Sequence, residues 1–426
     1  MSLTGPARGL PLNWAKQVVT MKKSARWLLP FIFYLLALSP IYLHAQTKDS
    51  AENPFPVLPG LENAVDFWKR IFTEYSLSQL VFFDNSDMSK IYEVTDVGEA
   101  SRTQAYIDGE RARIAAANGV DIENVKAQRG VKERTMEGLK RSGRYIAQMQ
   151  QIFRERNLPV ELTYLPLVES SYDLTARSFV GALGIWQFMP VTGKQFLRVN
   201  KLVDERRDPI ESTRAAASLL AQNYQVLGNW PLALTAYNYG AGGLARAVAE
   251  IGSDNLVDLI RNYQHPYWGF APKNFYAEFL AAVDIAQNVE QYSPGLEFHS
   301  PLMIQEVEVK KATSVAALAS SRGLTQQQLL AWNHALNPKT RLIPSGYRLK
   351  LPVDPKAEPV MIQAVQTVQS RPQAQTQVVR HRVKPGETLF NIARRYGASV
   401  ERILQANGLR RSHLLRVGMT LLIPKA

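Results

Sequence analysis

The feature that most constrains this chain is a pattern its C-terminal part carries twice. VEVKKATSVAALASSRGLTQQQLLAWNHALNPKTRLIPSGYRLKLP and HRVKPGETLFNIARRYGASVERILQANGLRRSHLLRVGMTLLIP align at an offset of 74 residues. Val309 then matches Val383, Ala319 matches Ala393, Gly323 matches Gly397 and Asn333 matches Asn407. After a two-residue insertion in the first copy, Gly346 matches Gly418 and Pro352 matches Pro424. Each copy reads strand, helix, turn, helix, strand. An internal repeat of this length marks a repeated structural unit in the chain. Residues 354–378 between the copies are rich in Gln, Pro, Val and Ala, which is linker composition. We therefore place modules at 303–353 and 379–425.

The net charge of +13 is confined to the ends. Residues 1–45 hold five Lys/Arg and no acid, residues 378–426 hold ten against two, and the remainder is balanced at 35 of each sign. That distribution argues against a nucleic-acid-binding core and suits a terminal module meeting an anionic polymer or surface. With no cysteine, disulfides, thiolate metal sites and a cysteine nucleophile are excluded. Lys22, Lys23 and Arg26 precede the apolar run WLLPFIFYLLALSPIYL, which ends at Ala45. This is the pattern of an export signal over 1–45, with Met21 a candidate start and cleavage expected after Ala45. No cysteine follows to take a lipid.

The middle of the chain has helical spacing. Val65, Trp68, Ile71 and Phe72 form one stripe over 62–79, and Met136, Leu139, Ile146, Met149 and Phe153 form another over 131–157. QLVFFDN and KIYEVTD, separated by a turn, predict a hairpin. From Asn157, a candidate cap, a bent helix containing Pro166 should end near Glu169, and a last helix is expected over 273–290. The fold class is accordingly mainly α, with residues 46–145 an extension of a helical domain at 146–295 and two small α+β modules after it.

The stretch LVESSYDLTARSFVGALGIWQFMP places a lone carboxylate, Glu169, among Leu165, Leu167, Val168, Ile185, Trp186 and Phe188. Such surroundings favour the neutral carboxyl, the form a proton donor needs. Asp173 lies four residues on, though an Asp after SSY reads first as a turn residue. Trp186 reads as core. Gln187 either finds a buried partner or faces a cleft. In TAYNYGAG, Tyr237 and Asn238 suit sugar binding as well as helix-end packing. The six histidines include no pair at metal-ligand spacing, and there is no phosphate-binding or dinucleotide fingerprint.

Together ES at Glu169–Ser170, GALGIWQFMP and AYNYG resemble the catalytic domain of soluble-type lytic transglycosylases, whose fold is goose-lysozyme-like. The chain as a whole resembles the membrane-bound lytic murein transglycosylase D family, and the second repeat is similar to LysM modules. The resemblance implies cleavage of the β-1,4 bond between N-acetylmuramic acid and N-acetylglucosamine, with the muramic acid's own 6-hydroxyl closing a 1,6-anhydro ring. Glu169 would be the single acid/base. Ser170, Ser178, Gln187, Met189, Tyr237, Asn238 and Tyr276 would bind substrate. Gly386, Glu387, Thr388 and Leu389, with Asn407, Gly408 and Leu409, would form the glycan groove of the second module. The first repeat has KKATS where the second has KPGET, so it is degenerate. The expected partner is the peptidoglycan glycan strand and not nucleic acid. Peripheral association with membrane or wall, a monomer, no cofactor or metal, and a periplasmic envelope location complete the expectation. The rivals are a hydrolytic muramidase on the same scaffold, for which Asp173 would be the working second carboxylate, and a non-catalytic wall-binding protein.

Overall fold

A computed structural model of the protein describes residues 53–98, 103–353 except Phe179, and 378–424 except 385, 386, 388, 397, 399–402, 405 and 408–417. The expected export signal and nearly all of the expected linker lie outside the described residues.

The protein is mainly helical, with one small sheet near the start and paired strands in each repeat. The expected stripe is real: the helix Glu62–Thr73 buries Val65, Phe67, Trp68, Ile71 and Phe72. The predicted hairpin forms between Gln79–Asp84 and Ile91–Asp96, and Val125–Arg129 adds to its first strand to make three antiparallel strands. The stripe over 131–157, read as one helix, is two, Lys132–Ser142 and Ile146–Arg154. The break has a cause distant in sequence. The chain returns over it, with His299 donating from its backbone to the Lys140 carbonyl at 2.9 Å and Leu302 to the Arg144 carbonyl at 3.0 Å. Gly143 allows this approach, since a Cβ there would stand 2.5 Å from the His299 oxygen.

Asn157 is not a cap. It has φ 54° in the turn that closes the preceding helix. The bent helix after it is a 3-10 turn, Val160–Tyr164, running into the short helix Leu165–Ser170, with Pro166 in its first turn where a missing N–H does no harm. Below it, Pro209–Leu227 begins with Asp208, whose side chain accepts from the Ile210 and Glu211 amides at 3.0 Å each. Buried Ala215, Ala216 and Ala217 let the neighbouring helices pack closely. The helices Trp230–Tyr239 and Phe270–Gln287 complete one continuous core, in which Trp186, fully buried as expected, stacks on Phe153 at 6.0 Å and 10° and donates its indole N–H to Thr213 at 2.8 Å.

In the first repeat Ile304–Val309 pairs antiparallel with Tyr347–Pro352 around the helices Val315–Ser321 and Gln326–Trp332. In the second, Val378–Arg382 pairs with Thr420–Pro424. The matched asparagines do the same work in both. Asn333 donates to the Leu329 and Lys350 carbonyls and accepts from the Lys350 amide, each at 2.8 Å. Asn407 does so with Ile403 and Leu422, at 2.7 to 2.8 Å. An amide that ties a helix end to the closing strand is what the repeated asparagine is for.

Candidate active site

The Glu169 helix ends abruptly. Ser171 and Tyr172 both take the left-handed conformation, φ 51° and 52°, which turns the chain away one residue after Ser170. Two consecutive non-glycine residues held there store strain, and the Tyr172 hydroxyl, donating to the buried Thr163 carbonyl at 2.7 Å, helps hold it. Gln187, at φ 47°, is the third such residue in this region.

The loop 181–189 faces the helix and is fixed carbonyl by carbonyl. Ser170 Oγ donates to the Ile185 oxygen at 2.8 Å and the Tyr237 hydroxyl donates to the Trp186 oxygen at 2.8 Å. Arg206 reaches the oxygens of Gly181 and Phe188 at 3.0 and 3.1 Å. Gln187 donates its amide to the carbonyls of Gly184 at 2.8 Å and Ala176 at 3.0 Å. It is thus a loop tie, the buried-partner alternative left open by the sequence. Gly184 has no substitute here, since a Cβ would meet the Arg206 carbonyl at 1.9 Å.

Glu169 is half-buried and makes no hydrogen bond or ion pair among the described residues. Burial pushes its carboxyl up to about 8, and the neighbouring Glu278 carboxylate adds to the rise. Burial thus favours the neutral carboxyl while the half-buried side chain keeps some access to solvent. Tyr237 sits beside it: burial and the Glu169 charge both raise the phenol well above its usual range, so it stays a hydrogen-bond donor.

Sequence reasoning missed Glu278. It lies mid-helix in Phe270–Gln287, where Asn274 and Ala282, one turn either side, are buried, yet it is itself half-buried. Burial pushes it, too, up to about 8. Only a carboxylate in an otherwise apolar helix, FYAEFLAAV, marked it in the sequence. Asp173, the second carboxylate considered from sequence, caps Thr175 instead, accepting from its amide at 2.8 Å and its hydroxyl at 2.7 Å.

The other expected substrate residues divide. Met189 and Asn238 are exposed. Ser178 Oγ accepts from the Ala182 amide at 2.9 Å, leaving its own proton free. Tyr276 does not line an opening: it is fully buried and donates to the Pro56 carbonyl at 2.9 Å. In the second repeat Glu387 accepts from the Lys384 amide, meets His381 at 2.7 Å and pairs with Arg395, while Leu389 opens the helix Leu389–Arg395. Gly386, Thr388, Gly408 and Leu409 lie outside the described residues. A cavity of 710 Å³ lined by Pro54, Pro56, Tyr224, Trp230 and Asp254 contains none of the converging carboxyls.

Comparison with known proteins agrees with this organisation. Residues 147–256 match the transglycosylase SLT domain, and residues 307–352 and 381–424 match the LysM domain. The chain therefore carries an SLT domain followed by two LysM domains. It is 29% identical over 274 residues to the membrane-bound lytic murein transglycosylase D of Escherichia coli K12, covering 61% of this chain and 59% of that protein. The same figures hold for the protein of that name from E. coli O6:H1. The chain thus spans about three fifths of the length of the curated relatives it matches. Among solved structures, the 70 kDa soluble lytic transglycosylase of E. coli overlaps 36% of this chain and 25% of its own, with 21% identity and a TM-score of 0.29.

Proposed function

We propose that this protein is a peptidoglycan lytic transglycosylase that cleaves the β-1,4 bond between N-acetylmuramic acid and N-acetylglucosamine and leaves 1,6-anhydro ends. The observation that carries the reading is Glu169: a half-buried carboxyl with no hydrogen bond or ion pair among the described residues, pushed up to about 8 by burial. In that state it donates its proton to the leaving glycosidic oxygen. The resulting carboxylate then takes the proton of the muramic 6-hydroxyl as that oxygen closes on C1, so one group acts first as acid and then as base. Tyr237, neutral beside it, supplies a hydroxyl dipole, and the fixed loop keeps bulk water from the carboxylate between the two steps.

The expected division into an extension at 46–145, a catalytic domain at 146–295 and two repeats joined by a linker accompanies this reading. The second repeat would grip the glycan through segments 386–389 and 407–409. Since the Glu387 carboxylate and the Asn407 amide are engaged internally, backbone groups and Leu389 would make the contacts. Tethering raises the effective substrate concentration at the acid. The substrate places the protein in the periplasm, in keeping with the expected signal.

Mass analysis of fragments released from purified sacculi tests the proposal. Anhydro ends are expected, and Glu169→Gln should abolish their release while sacculus binding is kept. One observation favours a second reading, hydrolysis: Glu278 provides a carboxyl beside Glu169. Being itself held neutral to about pH 8, it is a weak water-activating base. Fragments with only reducing ends would decide for it.

A further inference from the structure

The first repeat is fastened to the catalytic domain, and the fastening leads to the active-site loop. Val203 bridges Leu336, the Asp204 amide donates to the Ala335 carbonyl at 2.8 Å, and the Asn337 amide donates to the Leu202 carbonyl at 2.9 Å. Asn337 Nδ2 adds a bond to the Lys201 carbonyl at 3.1 Å. Val203 belongs to the repeat's own core, and Arg198 lies over the Tyr347 ring. Through the 74-residue offset, Asn333, His334 and Ala335 correspond to the 407–409 segment proposed above as a glycan-groove wall. In the first repeat Asn333 ties the helix end to the closing strand and the Ala335 carbonyl is spent on the junction.

Asp204 holds Arg206 by two contacts, at 2.9 and 2.7 Å. Arg206, 7% exposed, is the side chain that caps the Gly181 and Phe188 carbonyls at either end of the loop beside Glu169. We propose that the first repeat is an intramolecular clamp rather than a glycan reader, and that Arg206 is a positioning residue carrying its hold to loop 181–189. The clamp fixes Ile185 and Trp186, whose carbonyls meet Ser170 and Tyr237, and so sets how dry the acid is. This rests on the proposed function in one respect, that Glu169 is the acid.

The test uses the full chain acting on soluble glycan strands released from sacculi. Arg206→Met should lose at least tenfold in kcat with KM within about twofold, and the alkaline limb of its rate profile should move below that of the parent as water reaches Glu169. Arg206→Lys, which can still donate to both carbonyls, should restore the limb and most of kcat. A folded Arg206→Met enzyme with the parent's kcat and limb overturns the clamp. A second measurement needs no variant. In native-state hydrogen exchange, the Leu183 amide, bonded to Phe188, and the Asp204 amide, bonded to Ala335, should open together as denaturant rises. Independent opening overturns the proposal. Should the parent release no glycan fragments, the proposed function fails while the exchange result still decides the clamp.

Discussion

Glu169 and Lys350 are both ionisable side chains taken out of water, and the molecule treats them in opposite ways. Lys350 is 2% exposed and meets three carboxylates, Asp208 at 2.8 Å, Glu211 at 3.2 Å and Glu306 at 3.7 Å. Burial alone would lower its proton affinity, but Asp208 and Glu211 outweigh it and raise it. Asp208 is correspondingly held low: burial raises it, and the Lys350 charge outweighs that. Glu169 has no counter-charge among the described residues, and the Glu278 carboxyl beside it carries the same sign when ionised. Burial with a partner fixes a protonation state, whereas burial without one leaves a proton that can be moved. The first arrangement is structural, joining the repeat to the helix Pro209–Leu227. The second is chemical.

The sharpest way to break this comparison is Glu169→Gln. If the lone carboxyl is the acid, kcat should fall by about 10³-fold, within the usual range for removing a general acid, while thermal stability at pH 6 stays near the parent's. Fragment release from sacculi measures the first and differential scanning calorimetry the second. A fall in both would make Glu169 structural and dissolve the contrast with Lys350.

Lys350→Met is the complementary experiment. It leaves Asp208 and Glu211 buried without a counter-charge, at a cost of about 3–5 kcal/mol near neutral pH. The loss should shrink toward pH 4, because protonating the orphaned carboxyls removes the charge that burial penalises. Urea unfolding at the two pH values checks it. A penalty equal at both would mean that packing, not charge, joins the repeat to the domain.

How much of this contrast could be read from the sequence follows from the range of the forces involved. Local patterns were legible: the Trp68 stripe, the hairpin, the two repeats and the apolar setting of Glu169 all depend on residues near one another. Lys350 was visible only as a lysine in the strand YRLKLP where the aligned residue of the second repeat is Leu422. Two of its three partners are 139 and 142 residues away, and no periodicity encodes that. The break at Gly143, set by residue 299, was hidden for the same reason, and Glu278 comes beside Glu169 only because their helices pack. Tyr276, expected from the resemblance to bind substrate, is buried with its hydroxyl on the Pro56 carbonyl, 220 residues away in sequence.

A third test concerns stability. Glu169 rises from an ordinary 4.5 to about 8 on folding. A raised carboxyl favours the fold fully below pH 4.5, and that contribution is lost as pH climbs to about 8. Allowing for its partial exposure, the loss is on the order of 2 kcal/mol. Glu169→Gln cannot ionise, so its melting temperature should exceed the parent's at pH 9 by about 4–8 °C and match it at pH 5. Equal melting curves at pH 9 would mean the carboxyl is as wet as any surface glutamate, and burial would not raise its proton affinity.

The smallest effect is the most specific to the pairing of like charges. Burial is the main cause of the Glu169 rise, and Glu278 adds to it. Glu278→Gln keeps the shape and removes that charge, so the Glu169 anion becomes easier to form and its proton affinity falls. The alkaline limb of kcat should move to lower pH, making the variant about threefold slower than the parent at pH 8 and equal to it at pH 6. Loss of activity at every pH, with reducing ends gone from the products, would instead show Glu278 to be a working base, and the reaction to be hydrolysis.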